Sequence, residues 1–266
     1  MILRYDFAKA KLLRINSERI LMELKDQLNG FLFINKPKGI SSYDCIRYIK
    51  KIIKKKIKIG HTGTLDNFAQ GLLILCLGTA TKSTDILMNL NKEYIATAKL
   101  GELTDTLDYT GKIIKTQNIN LISEKNLVKA SKKLGSNYIQ IPPAYCALKH
   151  QGLPLYKLIR QNKLAAKNIE NIIEQKKRRI KIYSIELIKF TSPFFKIKTM
   201  VSKGTYVRSL INDIAQQINL NASIYELIRT KIGSINLRNA TQLDDINNLK
   251  DIKTKLIKID HIKQIL

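Results

Sequence analysis

The stretch KIGHTGTLDNFAQGLLILCLG, Lys58–Gly78, joins a polar loop to one of the most apolar runs of the chain. Its second half, Leu72–Leu77, carries no charge and is too short for a helix of its own, so it predicts a fully buried strand. Its first half holds one carboxylate, Asp66, among small and hydroxyl-bearing residues. The glycines allow a tight turn, and the stretch therefore predicts a loop that projects an acid above a buried strand.

Local pattern alone leaves the role of this loop open. Gly60, Gly63 and the threonines are similar to a phosphate-cradling loop, but the GxxxxGK[ST] spacing is absent and no helix follows, so a nucleoside-triphosphate site is not favoured. An aspartate in a loop is often only a cap or a turn former. Asp66 is thus either a structural turn residue or an acid placed for chemistry.

The rest of the chain alternates between strand and helix signals without regular βαβ spacing. Strands are predicted at 31–39, 92–101, 178–190 and 194–204, and helices at 1–28, from Ser41 onward, at 123–134 and at 206–218. Ser41 and Asp44 form the capping pair of the second helix. This interleaving predicts an α+β fold rather than a doubly wound parallel sheet.

Charge is the strongest global signal. The 266 residues include 47 Lys and Arg against 21 Asp and Glu, a net charge of +26, which favours a polyanionic partner such as nucleic acid. An AT-rich genome would also enrich Lys, Asn and Ile, so composition alone leaves both explanations open. The lysine run of the helix that Ser41 opens is either a solvated face or a rim that contacts phosphate.

Several classes of protein are not favoured. No apolar run reaches the length of a membrane span, and the N-terminus lacks a secretory signal pattern. Cys45, Cys76 and Cys146 are odd in number with no CxxC pair, which fits a reducing cytosol and a cytoplasmic protein. The three histidines do not cluster with the cysteines, so we expect no metal site.

Two further segments carry polar groups suited to chemistry. SKGTYVRSLINDI, Ser202–Ile214, places Tyr206 and Arg208 at a strand-to-helix junction, and arginine is the cation that keeps a buried carboxylate ionised. ELTDTLDYTG, Glu102–Gly111, supplies a second acidic loop, although a plain hairpin turn explains it equally well. Spacing alone does not choose among these residues.

Five stretches, taken in their order along the chain, carry a specific resemblance to one protein family. They are NGFLFINKPKGISS, GHTGTLDNFAQGLLILCLGTATK, KEYIATAKLGELTDTLDYTG, QIPPAYCALKHQGLPLYKLIR and VSKGTYVRSLINDI. From about Asn29 to Gly233 the chain resembles the bacterial TruB-type pseudouridine synthases, which convert the uridine at position 55 in the T-loop of tRNA. Asn67 stands where the family usually has proline, a departure that affects loop stiffness rather than chemistry.

The resemblance implies three catalytic residues. Asp66 matches the catalytic aspartate, Tyr94 matches the tyrosine that stacks on the target base and takes part in proton transfer, and Arg208 matches the arginine paired with the nucleophile. Lys36 and Pro37 belong to a motif that packs beside the active site and that we interpret as structural.

It also implies four positions that contact the substrate. His61 matches a histidine that fills the place of the extruded nucleotide. Tyr206 and Leu227 match positions that line the pocket of the flipped base, and Asp108 matches an acidic position at the cleft. No cofactor is expected, because the isomerisation needs neither redox change nor group transfer.

The implied fold is a mixed, largely antiparallel central sheet with flanking helices and an RNA-binding cleft. We expect a dispensable N-terminal extension over 1–28, a catalytic domain over 29–238, and a short tail over 239–266 in place of a full C-terminal RNA-binding domain. The expected partner is the T-arm of tRNA, and the expected state is a monomer.

Other functions remain to be weighed against this one. A non-catalytic tRNA-binding or tRNA-folding protein would keep the cleft, but it has no need of Asp66, Tyr94 and Arg208 together. A ribosome-associated structural protein would explain the charge but not the acidic loop. Attack at C6 of the base, attack at C1′ of the ribose and a glycal route are all open to the aspartate.

Overall fold

A computed structural model describes residues 28–119 and 122–265, with side chains up to 262. The helix predicted over 1–28 lies outside these residues, apart from Leu28. The strands are β1 Gly30–Lys36, β2 Ile59–His61, β3 Gln70–Leu77, β4 Lys92–Leu100, β5 Glu102–Thr104, β6 Ile113–Thr116, β7 Asn137–Gln140, β8 Lys149–His150, β9 Leu153–Pro154, β10 Arg178–Thr191, β11 Phe194–Val201, β12 Ala222–Ile232, β13 Ile235–Asn236 and β14 Thr241–Gln242. The helices are α1 Ser42–Ile53, α2 Thr84–Asn89, α3 Glu124–Lys133, α4 Leu155–Arg160, α5 Ala166–Gln175, α6 Val207–Gln216, α7 Leu249–Lys255 and α8 Ile259–Ile265.

The chain divides into two compact units. The first takes the described residues up to Asn67, then Gly71–Met88, and the chain from Ser234 onward; the second takes Phe68–Gln70 and Asn89–Gly233. Each unit has its own strands and its own buried apolar residues.

The first unit is built around the buried strand that the opening stretch predicts. Within this unit, β3 pairs antiparallel with β1 along its length and with β2 at its C-terminal end, while β1 pairs parallel with β14. From Leu72 to Leu77 every side chain of β3 is buried. A strand whose side chains are all apolar must be covered on both faces of its sheet, and the complete burial of Leu72–Leu77 shows that β3 is.

Helix α1 covers this sheet with one apolar stripe. Ser41 caps it: its hydroxyl accepts from the N–H of Asp44, whose carboxylate accepts from the N–H of Ser41, so the predicted capping box is confirmed. Ile46, Ile49 and Ile53 are buried in one cluster with the apolar side chains of β1 and β3. Helix α1 is therefore amphipathic, with its apolar stripe against the sheet.

The end of the chain completes the core of the first unit. Leu243, Ile246 and Ile252 are buried in the same cluster as α1. Phe31 and Ile257 exchange backbone hydrogen bonds of 2.8 and 2.9 Å. At Gly30 a Cβ would collide with the carbonyl oxygen of Ile257, so the close approach of the two segments requires glycine there.

The second unit holds an antiparallel sheet in the order β12-β4-β11-β10-β7. In β4 the side chains of Tyr94, Ala96, Ala98 and Leu100 alternate with partly exposed ones and are all buried, as the predicted strand over 92–101 requires. Helix α6 begins at Val207, one residue later than predicted, because Tyr206 is its N-cap.

The fold class is confirmed: the chain is α+β, and its sheets are mixed but largely antiparallel. Among the described helices, none combines the length and the hydropathy that a membrane span requires. The three cysteines are free thiols and all are buried.

Candidate active site

The loop that carries Asp66 is held from both sides by the first unit. On one side Ser42, the first residue of α1, hydrogen-bonds the backbone of Leu65 twice: its hydroxyl accepts from the N–H at 2.8 Å and donates to the carbonyl at 3.2 Å. On the other side the carbonyl of Asn67 accepts from the N–H of Gly39 at 2.7 Å. The half-buried Asp66 therefore projects from a backbone whose neighbours are both fixed.

Lys36 also stabilises the loop that carries Asp66. Its side chain is fully buried, and its ammonium group donates to the carbonyls of Pro37 at 2.8 Å and Ile40 at 2.7 Å, with a longer contact to that of Asn67 at 3.5 Å. A buried ammonium group needs such acceptors, because burying a charge without them is costly. These contacts support the structural interpretation of Lys36.

His61 lies on the strand that leads into the Asp66 loop. It is the last residue of β2, opposite Leu75 of β3, and its ring is partly exposed. The N–H of Gly63 approaches its Nδ1 at 3.4 Å. If Nδ1 accepts there, the Nε2 nitrogen carries the proton and is a donor. His61 and Asp66 are thus presented by one short segment, as the sequence predicts.

Tyr94 and Leu227 come together on one face of the second unit's sheet. Leu227 of β12 pairs directly with Ala96 of β4, and Tyr94 lies two residues along β4 from Ala96. Residues two apart in a strand share a face, so Tyr94 and Leu227 are diagonal neighbours. Both are buried, Tyr94 with 9% of its surface exposed. The ring and the aliphatic side chain form an apolar surface.

Arg208 and Asp108 form a buried ion pair in the second unit. Nη1 of Arg208 lies 3.6 Å from Oδ2 of Asp108, and the two side chains are 4% and 5% exposed. Arg208 also donates to the carbonyls of Thr106 at 2.6 Å and Tyr145 at 2.9 Å. The loop of Asp108 is a hairpin turn, as its plain interpretation predicts, and it also carries a buried carboxylate that faces Arg208. The pairing of Arg208 with Asp66 stays a prediction.

Tyr206 is positioned by residues that sequence reasoning missed. The side chain of Gln140 bonds both backbone groups of Tyr206, accepting from its N–H at 2.8 Å and donating to its carbonyl at 3.1 Å. The guanidinium of Arg178 lies 4.8 Å above the centre of its ring. Burial raises the pKa of Tyr206 to about 12, so the phenol is neutral at physiological pH. Gln140 and Arg178 pair across β7 and β10 and reach Tyr206 together.

No local pattern could have found Gln140 or Ser42. Gln140 lies 66 residues from Tyr206 in the chain and Ser42 lies 23 from Leu65. Both are ordinary polar residues, and their roles depend on which distant segments the fold brings next to them. The described residues contain no group of three or more His, Cys, Asp and Glu side chains that could hold a metal ion.

Comparison with known proteins shows which family this chain resembles. Residues 50–207 match the model of the TruB family pseudouridylate synthase, N-terminal domain. A tRNA pseudouridine synthase B of Clostridium tetani is 44% identical over 220 residues, which cover 83% of this chain and 73% of that protein. One from Francisella tularensis subsp. tularensis is 41% identical over 239 residues, covering 90% and 76%.

Solved structures agree on the fold. A chain from the crystal structure of a Cbf5-Nop10-Gar1 complex matches with a TM-score of 0.66 at 23% identity, covering 90% of this chain and 63% of that one. A chain from an H/ACA RNP bound to a substrate RNA containing 2′-deoxyuridine matches with a TM-score of 0.60 at 24% identity, covering 85% and 54%. This chain thus spans less than two thirds of either.

The family model matches more than half of the chain, and the two relatives are more than 40% identical over most of it. The chain therefore belongs to the TruB family of pseudouridylate synthases, and the protein is a pseudouridine synthase, an isomerase.

Proposed function

We propose that this synthase acts on tRNA and isomerises the uridine at position 55 in the T-loop, with Asp66 as the nucleophile on a flipped-out base. The observation that carries the proposal is the 44% identity to a tRNA pseudouridine synthase B over the segment that contains the Asp66 loop. The held backbone on either side of Asp66 supports it, because a nucleophile acts best from a fixed position.

The chemistry needs only the atoms of the nucleotide and protein side chains. The N1–C1′ bond of uridine breaks, the uracil turns, and a C5–C1′ bond forms; C5 loses its proton and N1 gains one. The product has the same atoms and oxidation state as the substrate. Attack by Asp66 at C6, attack at C1′ and a glycal route all satisfy this balance.

The other residues are given roles that suit their surroundings. Tyr94 stacks on the extruded base, and Leu227, beside it on the sheet, lines the same pocket; stacking offsets part of the few kcal/mol that base extrusion costs. Arg208 and Asp108 supply buried charge in the second unit, and Tyr206 lines the pocket as a neutral phenol. His61 occupies the place of the extruded nucleotide.

The test is the Asp66→Asn variant, which keeps the size of the side chain and removes its nucleophile. We expect no tritium release from tRNA labelled at C5 of uridine, while the affinity for the same tRNA stays close to that of the unaltered protein. The matched control is Asp85→Asn, which changes an exposed carboxylate of α2 and should leave turnover unchanged.

Position is tested with the RNA instead of the protein. A tRNA transcript with cytidine in place of uridine 55 should yield no pseudouridine, and the uridine-containing transcript should yield it only there. Turnover by Asp66→Asn, or product at another position, would contradict the proposal.

A further inference from the structure

The C-terminal end of α1 carries a group of positive charges that no described residue pairs. We call it the α1 lysine cluster; its exposed members are Lys50, Lys51, Lys54, Lys55 and Lys56. None of them makes an ion pair or a side-chain hydrogen bond within the described part of the chain. The only carboxylate of α1 is Asp44, which lies in the first turn and pairs with Arg47 at 2.8 Å.

This arrangement is unfavourable for the helix on its own. Lys50 and Lys51 lie in the last turn of the helix, Lys54 is its left-handed C-cap, and Lys55 and Lys56 follow directly, so five like charges lie within seven residues. The partial negative charge at a helix C-terminus favours cations, but it amounts to about half an elementary charge. Five lysines exceed what it can neutralise. A bound polyanion would supply the missing negative charge.

The cluster lies at a defined distance from the Asp66 loop, within the same unit. Ser42, at the start of α1, holds Leu65, and Lys50, the first lysine of the cluster, lies eight residues further on, about 12 Å along the helix axis. Lys56 is also only five residues before His61, a span of at most roughly 17 Å of extended chain. Short segments of chain therefore tie the cluster to the residues that present His61 and Asp66.

We propose that the α1 lysine cluster binds the phosphate backbone of the RNA stem beside the loop that holds the reacting uridine. This inference rests on the proposed function and assigns a particular surface to its substrate. The ligand chemistry is the phosphodiester, because lysines recognise phosphates as point charges and read no base sequence. The surface supplies affinity and orientation, and the Asp66 loop supplies reactivity.

The first test compares two variants of equal charge change. One replaces Lys50, Lys51, Lys54 and Lys55 of the cluster with glutamine; the other replaces Lys125, Lys129, Lys132 and Lys133, the exposed lysines of α3, with glutamine. The measurement is the slope of log affinity against log salt for an unmodified tRNA transcript. Each lost phosphate contact lowers this slope by about 0.7–0.9, so the α1 variant should lose about 3.

A fourfold rise in salt should therefore weaken binding about 60-fold less in the α1 variant than in the unaltered protein. The α3 variant should keep the full slope, which excludes an effect of net charge alone. Replacing the same four α1 residues with arginine should also keep it, because the charges remain. An equal loss of slope in the α1 and α3 variants, or no loss in the α1 variant, would overturn the assignment.

A second test needs no variant. Hairpins with one loop sequence are prepared with a stem of about a quarter turn and a stem of about one full turn. The unaltered protein should bind the longer hairpin more tightly, with a steeper salt slope. Equal affinities and slopes would overturn the proposal even if the glutamine variants failed to fold.

Pseudouridine formation by the unaltered protein is measured on the same tRNA. Absence of product there would contradict the proposed function. If the enzyme is active but the α1 glutamine variant keeps the full salt slope, only the present inference is contradicted.

Discussion

Arg208 binds two backbone carbonyls as well as the Asp108 carboxylate, and this combination depends on the shape of the guanidinium. Its Nη1 and Nη2 donate to Thr106 and Tyr145, so two segments of the second unit are held by one side chain. Lysine has one nitrogen on a flexible stem and cannot reproduce the fork.

Arg208→Lys should therefore lower the free energy of unfolding by about 1.5–3 kcal/mol, the usual worth of a hydrogen bond to a charged group, and should also lower turnover. Urea denaturation and single-turnover kinetics measure the two effects. Arg179→Lys, at an exposed position of β10, is the matched control and should change neither. Unaltered stability and turnover in Arg208→Lys would show that the fork is unimportant.

Asp213 of α6 makes stability depend on pH. Its Oδ2 is fully buried and has no hydrogen-bond partner within the described residues, although the residue as a whole is only half-buried. Burial raises the pKa of this carboxyl from 3.8 to about 7, and a hydrogen bond with Tyr138 works in the opposite direction. The folded state thus holds the proton more tightly than the unfolded state does.

The stabilising effect of that proton is complete below pH 3.8 and is lost as the pH rises through about 7. Asp213→Asn cannot ionise, so the free energy of unfolding of this variant should gain on that of the unaltered protein between pH 5 and pH 8. Urea titrations of both proteins at a series of pH values across this window measure the difference. A difference that stays constant with pH would show that Asp213 does not titrate there.

At the scale of elements, α1 has different tasks at its two ends. Its N-terminal end holds the Asp66 loop through Ser42, and its C-terminal end carries the lysine cluster. The two neighbouring serines have different roles: Ser41 caps the helix, and Ser42 hydrogen-bonds the backbone of Leu65.

Ser42→Ala should lower the free energy of unfolding by about 1–3 kcal/mol, because it leaves buried backbone groups of Leu65 unpaired, and it should reduce turnover by loosening the residue next to Asp66. Ser41→Ala removes the cap, costs about 1 kcal/mol, and should leave turnover unchanged. Chemical denaturation and single-turnover rates on the two variants distinguish the effects. Equal turnover in both would mean that the Ser42 contact does not position Asp66.

Elements with local signals were predictable from the sequence. The capping box of Ser41 and the alternation along β4 both act within a few residues. Family resemblance named the candidate site residues, but their surroundings depend on long-range contacts. The two bonds from Gln140 to Tyr206 and the clasp of Ser42 on Leu65 join positions that only the folded chain brings together.

At the scale of the whole molecule, the C-terminal segment is the part whose packing the sequence predicts least well. The sequence suggests a polar and apolar tail from about Asn239, yet Ile252 is fully buried in the cluster that contains Ile49 of α1. A seven-residue helix with one buried isoleucine has too weak a pattern to predict such packing.

Ile252→Ala should therefore cost as much as a substitution in the centre of the unit. We expect a loss of about 2–5 kcal/mol in the free energy of unfolding, the range for removing a large aliphatic core side chain, and a similar loss for Ile49→Ala. Thermal or urea unfolding of the two variants checks this. A loss below 1 kcal/mol for Ile252→Ala alone would mean that this segment is only loosely attached.

The hydrogen bonds between Phe31 and Ile257 also set an order of events during synthesis. More than two hundred residues separate these partners, so the first unit cannot close while the ribosome is still making its last segment. The second unit is nearly continuous in the chain, from Asn89 to Gly233, and all of it has been made before that segment appears. Domains fold as units during translation, so the second unit should form first. Until Ile257 has been made, β1 lacks the last of its backbone partners.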